Sequence, residues 1–498
     1  MQKVRIQVLY IIVFIIGGFS MIFELSGIRL LGPFLGTSII VWSGTIGIIM
    51  ASLVGGYHLG GKLADKFSAE KLLLWTLLAS GFFMLYTTLG SQKIIIAISH
   101  KIYDLQVKTL LSAILLFVPA NVFLGGILPL SAKLILTDMT HSGASIGKLY
   151  ASSTLGSILG TVTGGFWLIP FWGHFNILLW MIVSLYFLAI VWSMLTHKKY
   201  LAFAILFAIM SAGIMSFKNF EHKYIDLDTR YNRVIVRETK DKNGIPIRKL
   251  FVNNEGSSAM YFDNDSLAFE VLNYYDLALH FRPDLQHIMM IGGSGYAYPK
   301  YFLHHFPGRK IDVVEIDPGL TEVARKYFRL EDNPDLRIFH EDGRTFLNKE
   351  EHRYDAILMD AYKSILTVPF QLTTREAIEK IYDNLNDKGI FLANIIAAFD
   401  KEKNYFLRAE LRTISSVFED VRLFAVQYPN AQGAERKYFQ NMMLVAFKQK
   451  DTTPLTSNDP RIHKMLANIV REKFPLDLPV LTDDYAPVEY YTYRSLQE

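Results

Sequence analysis

Nearly every long uncharged run in this chain lies before Lys218, and that asymmetry constrains the fold more than any other feature. A bilayer span takes about 20 mostly apolar residues. Seven runs meet the requirement, at roughly 7–28, 39–60, 72–90, 109–135, 149–170, 175–195 and 200–217. The first reads as a span and not as a cleaved signal, because no small-residue cleavage site follows it and Glu24 and Arg29 sit near its end. The segment after Lys218 reads as ordinary soluble sequence. The expectation is a polytopic helical membrane domain over 1–218, a small β-rich subdomain over 219–265 and a larger domain over 266–498.

Small residues crowd the apolar runs, as in "LGSILGTVTGG" at 155–165. In lipid, small faces let helix backbones approach, so these glycines predict packing and not a phosphate loop. "GGKLADK" at 60–66 resembles the short cytoplasmic loop of major facilitator transporters, over that loop alone. Lys3, Arg5, Lys62, Lys66, Lys71, Lys133, Lys148, Lys198 and Lys199 fall on one side if the spans alternate, which puts the N-terminus inside. Seven crossings would then export everything after 217. A soluble half on the cytoplasmic side instead requires a different count, and "QKIIIAISHKIY" at 92–103 suits a re-entrant piece. Glu24, His58, Asn121 and His174 are polar groups in or near apolar spans. Each is a functional candidate, set against a satisfied interhelical or interfacial role.

After Lys218 the periodicity changes. "RYNRVIVRET" and "IRKLFVNNEG" alternate apolar and polar residues around "DKNG", which predicts a β-hairpin. "SLAFEVLNYYDLALHF" at 266–281 has helical spacing. Strand and helix then alternate. "HIMMIGG" precedes a helix at 297–305, "KIDVVEID" precedes "PGLTEVARKYF", and "LRIFHEDG" and "YDAILMDA" are two further strands. "TTREAIEKIYDNLNDKG" is a helix capped by Thr373 or Thr374 ahead of Glu376 and leaving at Gly389, and "IFLANII" follows as a fifth strand. Such alternation predicts a doubly wound, Rossmann-like, mostly parallel sheet. Ligands of these sheets sit beyond the carboxyl ends of the strands.

Those ends carry specific chemistry. Gly292, Gly293 and Gly295 follow the first strand and allow close backbone approach. Glu315 ends the second, about twenty residues on, where an acid receives ribose hydroxyls. Asp342, with Gly343, ends the third, and Asp360 ends the fourth. Acids at successive strand ends point to a nucleoside site.

Glu315, "EDG" at 341–343 and "YDAILMDA" at 354–361, in this order, resemble the spermidine synthase (polyamine aminopropyltransferase) family, from about 228 to 450. "YASSTLGSILGTVTGGFWLIP" at 150–170 and "LTDDYAPVE" at 481–489 are similar to its membrane-fused branch. The resemblance implies transfer of an aminopropyl group from decarboxylated S-adenosylmethionine to a small-molecule amine. It implies that Glu315 holds the ribose, that Asp342 and Gly343 hold the adenine, and that Asp360 is the base. Tyr231 would line the amine pocket.

Two positions depart from the family pattern. Gly295 stands where the family's glycine turn has an acid contacting the transferred group. Lys363 stands where a second acid holds the far ammonium of a diamine, so Lys363 is expected to set which amine is accepted. Asp483 and Asp484 would replace that acid if the tail folds over the site.

Two other classes share these residues. One is a methyltransferase using S-adenosylmethionine itself, with Lys363 or the glycine-turn amides holding its carboxylate. The other is a non-catalytic sensor or transporter of a polyamine or nucleoside. A formal charge of +4 is too mild for a nucleic-acid partner. The chain has no cysteine, which excludes thiolate metal sites and Cys nucleophiles, and its histidines show no ligand spacing beyond His304–His305. No metal is expected. The expected partners are an amine and the lipid bilayer of the cell membrane, and self-association into a homo-oligomer is left open.

Overall fold

The computed structural model describes residues 2–102, 104–136, 142–218, 224–361 and 368–497. It divides into two compact units, Met1–Lys223 and Tyr224–Glu498.

The first unit is helical. Gln2–Leu35, Ile39–Lys66, Ala69–Lys101 and Leu105–Ile135 are single helices, and Ser142–Thr196 is a 55-residue helical run. These five are long and apolar enough to cross a membrane. The expected spans at 149–170 and 175–195 therefore lie in one run, interrupted by a π-helical turn at Gly164–Leu168 and by Gly173 at φ +73°. Residues 92–101, expected in a re-entrant piece, instead continue the helix Ala69–Lys101. The last expected span forms a separate helix, Leu201–Lys218, which is not among the five. "GGKLADK" is the end of a helix and not a loop.

Small residues bring these helices together. Gly56 and Gly60 lie against Gly125 and Gly126, and Gly17 and Gly18 lie against the turn around Gly156 and Gly160, leaving no room for a Cβ at most of these positions. Charged groups collect at one end of the bundle. Arg5 pairs with Glu70 at 3.0 Å and Lys133 with Asp65 at 2.8 Å, while His197 lies 3.4 Å from Glu70. That gathering is what alternating spans require.

The second unit contains two sheets. Strands β1 (Ile225–Asp228), β2 (Arg233–Lys240), β3 (Pro246–Val252) and β4 (Glu255–Tyr261) form an antiparallel sheet in sequence order. The predicted hairpin is β2–β3, closed by a turn in which the Asp241 carboxylate accepts from the backbone of Asn243 and Ile245. Val234, Val236, Leu250 and Val252 pack into the same core as Ile288, Met290 and Val313 of the larger sheet. The small sheet therefore shares its core instead of enclosing its own.

The larger sheet contains β5 (His287–Ile291), β6 (Lys310–Val314), β7 (Leu336–Phe339), β8 (Tyr354–Met359), β9 (Leu385–Ala397), β10 (Asp420–Ala425) and β11 (Gln440–Phe447). Its order is β10-β11-β9-β8-β5-β6-β7, and the order reverses between β5 and β8. Strands β5 to β9 are parallel, as predicted, and run nearly continuously apolar because helices cover both faces. The last two strands add an antiparallel edge, making the sheet mixed.

Two local expectations change. Residues 266–281 form three short helical turns, Glu270–Asn273, Tyr274–Asp276 and Leu277–Phe281, and not one helix. The helix expected to leave at Gly389 spans Arg375–Asp383 and is capped by Thr374. Leu385 then pairs with Tyr354 and Ile390 with Ala356, so residues 386–389 bulge from β9. A Cβ on Gly389 would lie 2.8 Å from that of Leu385, so glycine serves a bulge there and not a helix exit.

Candidate active site

The parallel strands end together on one edge, where the reversal of strand order opens a crevice. Beyond β5 the chain turns at Gly292, whose φ is +96° and whose Cβ would come within 2.6 Å of the Asp360 carbonyl oxygen. Only glycine fits that conformation and that approach. The next two backbone N–H groups, of Gly293 and Ser294, each donate to Glu315 Oε2 at 2.9 Å. Asp317 N donates to Oε1, also at 2.9 Å.

Glu315 is buried, and burial raises its carboxyl above the ordinary range while the three N–H groups pull it down. A carboxylate offers about four acceptor positions, so roughly one remains, on Oε1. Asp317 in turn receives the Asn232 side-chain amide at 2.6 Å and the Thr229 hydroxyl, fixing the loop between β1 and β2 beside the turn.

Asp342 caps the helix Gly343–Lys349, accepting from Thr345 N at 3.0 Å. Gly343 lies so close to Ile291 that a Cβ would meet its Cγ2 at 2.8 Å. Asp360 follows β8, its N–H bonded to the Ile291 carbonyl at 2.9 Å. Its carboxylate accepts from Asn394 Nδ2 at 3.0 Å. Withdrawal from water raises its carboxyl above the ordinary range, and the Asn394 amide opposes the rise.

Gly292, Glu315, Asp342, Gly343 and Asp360 line one cavity of about 160 Å³, with Leu372 as an apolar wall. Gly293 and Gly295, expected at the cofactor, do not line it. A Cβ on Gly295 would strike Ser258 at 2.6 Å, so that position is packed against β4. A second cavity, of about 660 Å³, lies between the small sheet and the ends of β9 and β11. Asp360, Ser257 and Ser294 line both.

The other expected residues lie elsewhere. Tyr231 is 46% exposed and lines neither cavity, while its neighbour Asn232 lines the smaller one. Asp483 is held by Arg344 at 2.8 Å and by the Thr374 hydroxyl at 2.6 Å, fastening the tail to two helix starts. Neither Asp483 nor the exposed Asp484 lines a cavity. Lys363 lies outside the described residues.

Sequence reasoning missed a chain of amides. Asn394 Oδ1 accepts from Asn441 Nδ2 at 3.0 Å, and Asn441 Oδ1 accepts from Gln427 Nε2 at 3.2 Å. The signal was present in polar residues at 394 and 441, inside otherwise apolar strands. Among the described residues no group of three or more metal-ligating side chains occurs.

Residues 274–454 match the family model for the spermine/spermidine synthase domain. The matched segment lies within the C-terminal unit. The chain is 26% identical over 282 residues to a probable polyamine aminopropyl transferase of Bifidobacterium longum (strain NCC 2705), covering 52% of this chain and 60% of that protein. It is 30% identical over 151 residues to the polyamine aminopropyltransferase of Vibrio vulnificus (strain CMCP6), covering 30% and 48%. The chain thus spans about half to three-fifths of these relatives' length. Among solved structures, a probable spermidine synthase from Corynebacterium glutamicum ATCC 13032 aligns at 21% identity and TM-score 0.41, over 49% of this chain and 86% of that one.

Proposed function

We propose that the C-terminal unit transfers an aminopropyl group from decarboxylated S-adenosylmethionine to an amine, within a multi-pass membrane protein. One observation carries this reading: among the described residues, Asp360 is the one carboxylate common to the smaller cavity at the strand ends and the larger groove. The residues around the smaller cavity suit an adenosyl sulfonium compound, with Glu315 for the ribose and Asp342 and Gly343 for the adenine. The amine enters from the groove.

The sulfonium is a good leaving group, so the protein has little to do beyond alignment and proton removal. The nitrogen lone pair forms a bond to the carbon beside sulfur. The carbon–sulfur bond breaks and its electrons stay on sulfur, leaving a neutral thioether. The nitrogen, now positive, gives its proton to Asp360. A carboxyl raised above the ordinary range suits that role, because a base nearer the working pH is the better proton acceptor. Purified protein, both adenosyl donors and a panel of amines, followed by product mass spectrometry, test the reading. Methylated products with S-adenosylmethionine would replace it with methyl transfer.

For the helical unit, the 55-residue run is about 80 Å of helix, enough for two passes. With two passes in that run, six crossings bring the chain to the basic end at His197, near Glu70, ahead of the helix Leu201–Lys218, whose Ser211 bonds to Tyr186. We place the C-terminal unit on the cytoplasmic side, where nucleoside donors are made. The chain has no cysteine, so Asp263→Cys gives a single exposed label site. In intact cells it should not react with an impermeant maleimide, and reaction would put the unit outside. The protein should also sediment with membranes after detergent-free lysis.

A further inference from the structure

The groove that meets Asp360 contains two cations in an unusual arrangement. Arg237 on β2 and Lys249 on β3 are direct cross-strand partners, and both line the groove. Like charges directly opposite each other destabilise a strand pair. The next pair, on the other face of the same sheet, is Glu238 with Arg248, an ion pair at 2.8 Å. The hairpin thus matches charge on the face that packs into the core and opposes it on the groove face.

Aromatic rings hold the two cations in place. Phe251 lies 4.4 Å from the Arg237 guanidinium and 4.9 Å from Lys249 Nζ, which is also 5.3 Å from Phe269. Among the described residues, neither cation has an acid within ion-pair distance. Other acids line the groove. Asp241 is occupied by two backbone N–H groups and the Tyr261 hydroxyl, and Glu270 lies 3.9 Å from Lys464. Glu255, on β4, has no such partner among the described residues and lines the same groove.

We infer that the Arg237–Lys249 pair is a carboxylate subsite, and that the acceptor is an α-amino acid carrying a side-chain amine. Its carboxylate meets Arg237 and Lys249, its α-ammonium meets Glu255, and its side-chain amine reaches Asp360. A plain diamine would instead bring a second ammonium toward two cations. The carboxylate belongs to the acceptor and not to the donor, because neither cation lines the nucleoside cavity. The fate of the side-chain amine rests on the aminopropyl-transfer reading above, whereas binding of the amino acid does not.

Ornithine and putrescine differ by one carboxylate and so make a matched pair of probes. Each is titrated calorimetrically into the full-length protein in detergent, saturated with 5′-methylthioadenosine. Ornithine should bind at least tenfold more tightly than putrescine. Lys249→Met should remove that preference, Lys249→Arg should keep most of it, and the nucleoside affinity of both variants should be unchanged. Equal or tighter putrescine binding, or an ornithine affinity that Lys249→Met leaves intact, overturns the subsite. The mass spectra separate the two ideas. Ornithine binding without any aminopropylated product refutes the transfer reading and keeps the subsite. Aminopropylated putrescine without ornithine binding does the reverse.

Discussion

Glu315 and Lys249 are both charged residues drawn out of bulk water within one unit, and they are treated in opposite ways. Glu315 receives three backbone N–H groups and is nearly saturated before any ligand arrives. Lys249 meets two aromatic rings and another cation and, among the described residues, no acid within ion-pair distance. The smaller cavity has its acid at Glu315 fixed by main chain at strand ends, where the fold itself sets the geometry. The groove is built from side chains on a hairpin and on the β9 and β11 strands, where a substitution changes charge without moving the backbone. Such a division lets one scaffold keep its donor while its acceptor changes. Asp360, shared by both cavities, has to serve either acceptor.

The sharpest way to break this comparison is at Asp360. Asp360→Asn removes the proton acceptor but keeps the shape, and loss of a general base typically lowers the rate by about 10²–10⁴-fold. Nucleoside affinity, measured calorimetrically, should hardly move, because the contacts proposed for ribose and adenine are Glu315 and Asp342. If affinity falls as far as the rate does, the two cavities are not separable.

Glu315→Gln should give the next largest effect. Its amide must present a donor where the turn offers only N–H groups, so at least one buried donor loses its partner, at about 1–3 kcal/mol. Nucleoside binding should weaken accordingly in a direct titration, while the KM for the amine stays unchanged. A change confined to the amine would reverse the assignment of the two cavities.

The smaller cavity was legible in the sequence because each of its acids at 315, 342 and 360 follows an apolar parallel strand. Glu315, Asp342 and Asp360 were found by reading where such strands stop, and the structure sets all three around one cavity. The groove was not legible for a matching reason. Asn394, Asn441 and Gln427 come together only because β11 runs antiparallel between β9 and β10, a pairing that no local pattern announces. Arg237 and Lys249 sat in plain view within the predicted hairpin. Their opposition depends on register, which the turn fixes. Tyr231 shows the limit from the other side: expected in the amine pocket, it lines neither cavity, and its neighbour Asn232 lines the smaller one and not the groove. In the helical unit the apolar runs were legible from length alone. That two of them are one kinked run depended on Gly173 and a π-helical turn.

A smaller effect should come from Asn394→Ala, read as a pH profile. The base works when deprotonated, so the rate rises with pH through its pKa. Burial raises the Asp360 carboxyl, and the Asn394 amide is the group that opposes the rise. Without that amide the carboxyl should move further up. The acidic limb of kcat/KM should then shift to higher pH, with the loss recovered on the alkaline side. A uniform loss at every pH would mean that Asn394 orients the amine and does not tune the base.

The smallest effect is expected at Asp483, which the sequence offered as a replacement acid for the amine. In the structure it pairs with Arg344 at 2.8 Å and accepts from Thr374, and it lies outside both cavities. Its side chain is 49% exposed, so solvent screens the pair, and such pairs contribute about 0–1 kcal/mol. Asp483→Asn keeps the hydrogen bond from Thr374 and loses the charge and the acceptor facing Arg344. The unfolding midpoint should therefore fall slightly, and the KM for the amine should stay where it was. An increase in that KM without a change in unfolding would bring the tail into the acceptor groove. The contrast would then no longer be between a main-chain cavity and a hairpin groove, because the groove would have a third wall.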